Sequence, residues 1–116
     1  MKTPINDTLE LIGRLDVREK MKNADLRIPA LPLLEYDLQE IMHIEHRLPP
    51  EAQLKDIIHT AMISPSGHWA TCAIKWLLQG FPLDDDIREW YQTCKKNKRV
   101  HQRIRQAAHR LFKNQT

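Results

Sequence analysis

Residues 69–78 read WATCAIKWLL, eight apolar residues with Lys75 as the single charge. This run constrains the fold most. At helical spacing it is apolar on more than one side, so neighbouring elements must enclose it. Left exposed, it would drive aggregation. Gly80 follows as a natural residue just past a helix end. Ser64, ahead of Pro65, can cap the start, with Ser66 as a rival cap. The run is therefore read as the central helix, over residues 65–79.

The rest of the chain agrees with helix. Apolar residues recur at three and four, strand-like alternation is rare, and only three glycines occur. The expected fold is all-α, a single domain of five or six short helices. A first helix is expected over 7–23, capped by Asn6 or Asp7 and buried through Leu9, Ile12 and Leu15. Residues 24–32, with Pro29 and Pro32, read as a linker pinned by Leu26, Ile28 and Leu31. A second helix is expected over 33–48, ended by Pro49 and Pro50, and a third over 51–62. Beyond the central helix, Asp84 to Asp86 suit the start of a fifth, along which Ile87, Trp90, Tyr91 and Cys94 repeat at i, i+3, i+4 and i+7. A last helix is expected over 99–113, buried through Val100, Ile104, Ala107, Ala108, Leu111 and Phe112.

LPPEAQLKDIIHTA, from Leu48, aligns with FPLDDDIREWYQTC, from Phe81, at a spacing of 33. The helices that follow align at 35, with Trp69 on Ile104 and Trp76 on Leu111. Residues 48–80 and 81–116 can thus be read as tandem helical hairpins, a right-handed stack of the HEAT/TPR kind preceded by an extra N-terminal helix. Two amphipathic hairpins of similar size also align in part by chance.

Charge is divided unevenly. Residues 1–89 hold ten basic and fifteen acidic residues, a net of −5, whereas 90–116 hold eight basic and none acidic, a net of +8. The basic set is Lys95, Lys96, Lys98, Arg99, Arg103, Arg105, Arg110 and Lys113, and it is the candidate partner-binding surface. Arg99, Arg103, Arg110 and Lys113 are expected on one face of the last helix, with Gln106 between them and His109 broadening the charged side. Such a face can dock an acidic protein, neutralise nucleic-acid phosphates, pair with a second copy of the chain, or simply face solvent. No zinc finger or aromatic stacking surface accompanies it, which favours a protein partner over nucleic acid.

Little else points to chemistry. The glycines stand alone at 13, 67 and 80, so no phosphate-binding glycine loop is formed. Ser66 and His68 read as parts of a helix start, not of a catalytic triad. His43 and His46, three apart beside Glu40 and with His59 as a remote third group, read as wetted side chains and not a metal site. Cys72 and Cys94 occupy apolar-periodic positions and read as buried thiols. No run reaches the ~20 apolar residues of a membrane span. The start MKTPINDTLELIG lacks the pattern of a signal peptide. The expectation is a cytoplasmic, non-catalytic adaptor, small subunit or inhibitor without a cofactor.

Overall fold

The computed structural model describes residues 2–24 and 26–114, all in helices, turns and loops with no strand among them. Asp25, within the expected linker, and Gln115 and Thr116, at the end of the expected second hairpin, lie outside the described residues. No helix among those described is long and apolar enough to cross a membrane. The chain divides into two compact units between Thr60 and Ala61.

In the first unit, the single helix expected over 7–23 is two. Helix α1 spans Ile5–Ile12 and α2 spans Leu15–Ala24. Pro4, not Asn6 or Asp7, takes the cap position of α1. At the break, Gly13 N–H donates to the Leu9 carbonyl and Arg14 N–H to that of Leu11. The break rotates the apolar stripe. Leu9 and Ile12 are buried, but Leu15 is 75% exposed and Val17 and Met21 take over the buried side. Arg14 pairs with Asp16 at 3.1 Å, at the start of α2, where a carboxylate suits the helix dipole.

A 3-10 helix, Ile28–Glu35, runs through Pro29 and Pro32 and packs on α1. It buries Ala30, Leu31, Leu33 and Leu34, while Ile28, expected to pin this segment, is exposed. The helix expected over 33–48 does not form as one element. Tyr36 is extended, and Asp37 then opens α3, Leu38–Met42, through a capping box with Glu40. A short 3-10 turn, Glu45–Arg47, follows. His43 ends α3 and His46 lies in that turn, so the two imidazoles do not share one helix face.

Polar contacts tie this unit together. Arg18 reaches both oxygens of Glu51, at 2.7 and 3.3 Å, and Arg27 Nε donates to the Glu51 carbonyl at 2.7 Å. The bond from Arg18 holds the Glu51 carboxyl below the usual carboxylate range. Thr60, buried, accepts from Arg27 N–H at 3.0 Å. Helix α4, Leu54–Ile63, contains the boundary between the units and buries Leu54, Ile57, Ile58, Ala61 and Met62.

Beyond the last turn of α4, the described residues of the second unit hold three helices. Helix α5, Gly67–Leu78, is capped by Ser66, whose Oγ accepts from Trp69 N–H. Ser64 instead accepts from Ser66 N–H. The far end of α5 closes as expected at Gly80, at φ +114°, with Gly80 N–H on the Leu77 carbonyl and Phe81 N–H on that of Trp76. Helix α6, Asp85–Cys94, is capped by Asp84, which accepts from Ile87 N–H at 2.9 Å. Helix α7, Gln102–Asn114, packs on α5. Tyr91 of α6 stacks parallel to Phe112 of α7 with ring centres 4.0 Å apart. Trp76 is fully buried, as its place in the central helix predicts.

Candidate docking site

The site begins where α6 stops. Lys95 caps α6 by donating its N–H to the Tyr91 carbonyl, and the next turn is held by Asn97 N–H on that of Cys94. Asn97 fixes the turn further. Its side-chain amide donates to the Ser64 carbonyl at 3.4 Å, and its Oδ1 accepts from Arg99 N–H at 3.0 Å. Helix α7 starts only at Gln102, after His101, whose Nδ1 accepts from Arg103 N–H at 3.2 Å. Arg99 therefore lies in the turn, not on the helix expected from 99. Its main chain lies directly against Gly67.

Between α5, α6 and α7 opens a cleft of about 730 Å³. Its floor is apolar, made by Ile74, Tyr91 and Cys94, all buried. Lys95, Lys96, Arg105 and Arg110 stand around it, with Gln102, Gln106 and His109, and none of the described side chains that line it is acidic. The amphipathic pattern of α7 explains this arrangement. Ala108 and Phe112 are buried, Ile104, Ala107 and Leu111 are half-buried, and the cations follow the edge of that stripe. Arg105 is the most deeply set of them. Its side chain is partly enclosed, and its Nε–H is buried with no hydrogen-bond partner among the described residues. A buried donor left without an acceptor costs ~1–3 kcal/mol.

The eight candidate residues thus separate. Lys95, Lys96, Arg105 and Arg110 share the main cleft. Lys98 and Arg99, again with Lys96, border a shallower hollow of about 500 Å³ beside Met62 and Pro65. Lys113 borders a smaller one of about 280 Å³ with Arg88 and Phe112. Arg103 is exposed and lines none of these three. The apolar floor is absent from the candidate residues of the sequence reading. Its members carry only the signal of ordinary core positions.

Other groups do different work. Ser66 caps a helix, and the His68 ring stands edge-on to Trp69, 4.6 Å between centres, with Nε2 4.0 Å from the Cys72 sulfur. No group of three or more His, Cys, Asp or Glu side chains among the described residues is placed to hold a metal ion. Neither Cys72 nor Cys94 is in a disulfide, and both are buried.

Burial pushes the Cys94 thiol up to about 11, and burial followed by the neighbouring Cys94 raises Tyr91. The floor is therefore uncharged at neutral pH. A raised thiol pKa means the native state keeps a proton that the unfolded chain releases. The stability Cys94 contributes is thus full below the unfolded thiol's pKa and is lost as pH rises through about 11. Alkylation of Cys94 by iodoacetamide is expected to stay slow in the folded protein until pH nears about 11, while the unfolded chain reacts from ~8.5. Peptide mass spectrometry checks this, and rapid labelling of Cys94 at neutral pH would contradict its burial.

Comparison with protein-family models, with curated proteins and with solved structures finds no match to this chain.

Proposed function

We propose that this chain is a non-catalytic protein-interaction module, an adaptor, small subunit or inhibitor, that docks an acidic partner surface on α7 and the end of α6. One observation carries the reading: the cleft joins an apolar floor to Lys95, Lys96, Arg105 and Arg110 with no carboxylate among the described residues that line it. Protein interfaces combine apolar contact with arginine in this way. A helical pair presenting one face is also how helical arrays bind their partners, and α6 and α7 contact each other through Tyr91 and Phe112.

Nucleic acid is the second reading, supported by eight cations without an acid in residues 90–116. The geometry favours it less. One face of Tyr91 is taken up by Phe112 and the ring is buried, so it is no platform for a stacked base, and an apolar floor contributes nothing to phosphate binding.

Fluorescence anisotropy separates the two. Labelled polyglutamate, duplex DNA and single-stranded RNA would each be titrated at low salt and near physiological salt, ~0.15 M. Polyglutamate binding is expected to persist at the higher salt. The triple change Lys95→Glu, Lys96→Glu and Arg110→Glu should weaken it at least ~10-fold, ~1.4 kcal/mol, with helicity by circular dichroism unchanged. Tight DNA or RNA binding near physiological salt, with polyglutamate inactive, would make nucleic acid the partner instead.

A further inference from the structure

We infer that the cleft between α6 and α7 receives an apolar side chain from an acidic, amphipathic segment of a partner protein, with Arg105 as the residue that selects its neighbouring carboxylate. The inference rests on the docking function proposed above and specifies what is docked. General attraction between a basic helix and an acidic surface needs no cleft. This one has a floor of Ile74, Tyr91 and Cys94 that gains nothing from charge and is served only by an apolar group. The ring of cations then requires acid close to that group.

Arg105 connects the two demands. It lines the cleft, and its Nε–H is buried without an acceptor among the described residues. A carboxylate beside the inserted side chain would pair with the Arg105 guanidinium, which is already partly desolvated at Nε, and a charge-assisted bond is strong in such a place. The exposed lysines 95 and 96 can attract such a segment, but they are too solvated to fix its register.

The shape of the cleft argues for a side chain carried by a larger body. Sites for free small molecules enclose most of their ligand. This cleft is open to solvent, so a small amphipathic acid would remain largely wet. A helix or extended segment brings its own surface as the cover.

The test is to pan a display library of random short peptides against the intact protein near physiological salt. In parallel, it would be panned against Arg105→Met and against Arg103→Met. The latter removes the same charge from the same helix at a position outside the cleft. Selected peptides are expected to pair an aliphatic or aromatic residue with two or more nearby Asp or Glu. Their affinity should fall about tenfold or more with Arg105→Met and little with Arg103→Met. Replacing the peptide's apolar anchor by serine should weaken binding about tenfold or more, to the level of an equally acidic peptide without an anchor, and replacing its acids by amides should abolish it.

Acidic peptides with no apolar preference, equally weakened by both variants, would overturn the cleft while leaving acidic docking intact. Selection without acidic bias would overturn both. Decanoate that binds the intact protein and displaces no selected peptide would assign the cleft to a small amphipathic anion. Concentration-dependent self-association in sedimentation, lost in Arg105→Met, would assign it to a second copy of this chain. Either result would overturn the inference.

Discussion

Replacing Trp76 by alanine is expected to lower the free energy of unfolding by ~3–5 kcal/mol. The indole is fully buried in the middle of α5, so its removal forfeits apolar burial and leaves a cavity that rigid neighbours fill only in part. A domain of this size has ~5–15 kcal/mol in total, so the variant should be partly unfolded at moderate temperature. Leu78→Ala is the internal comparison, since Leu78 lies on the same helix but is 38% exposed. It should cost less than ~1 kcal/mol. Urea unfolding followed by circular dichroism measures both without relying on the deleted fluorophore. Equal midpoints for the two variants would mean that α5 is not the helix around which the second unit packs.

The contrast between the two units shows what a sequence pattern can carry. Helices α5 and α6 were legible because their ends have local chemistry, Gly80 at positive φ and acid from Asp84 onward, although Ser66 and not the first-choice Ser64 caps α5. The N-terminal half was less so, because spacing alone runs smoothly through breaks. Leu9, Ile12 and Leu15 satisfy one helical stripe on paper, yet the turn at Gly13 and Arg14 places Leu15 in solvent. Residues 33–48 also read as one stripe, although Asp37 and Glu40 form a capping box that marks a new start. That box is a local signal which the apolar spacing of the stripe masks.

The candidate site divides in the same way. Its cations are obvious from composition, and a charged edge on α7 follows from helical spacing. The floor is not obvious. Ile74, Tyr91 and Cys94 are core residues by every local criterion, and only the packing of three helices decides which core residues a groove reaches. Arg99 failed as a helix position for an equally non-local reason. The turn it occupies is set by Asn97 reaching the Ser64 carbonyl and by Gly67 accepting a main chain against its missing side chain.

That last contact makes Gly67→Ala the second large effect. Alanine is the better helix former, and at an ordinary helical glycine the exchange would gain up to ~1 kcal/mol. Here a Cβ would collide with the Arg99 carbonyl oxygen and stand 2.5 Å from Arg99 Cβ and 2.6 Å from its carbonyl carbon. Two of those three atoms are main chain and cannot rotate away. Overpacking of this kind costs ~1–3 kcal/mol, and more where the obstacle is backbone. The expected net result is a loss of at least ~1–3 kcal/mol in urea unfolding. Arg99→Gly should not rescue it, because it removes only the Cβ contact. Gly80→Ala supplies the control of opposite cause: nothing lies within 4 Å of its added Cβ, and only the φ of +114° penalises it. Because the turn that Gly67 admits leads from α6 into α7, Gly67→Ala should also weaken polyglutamate binding, although no cation is changed. A stabilised Gly67→Ala protein with normal binding would show that the turn does not rest on α5 and that the cleft is positioned by other contacts.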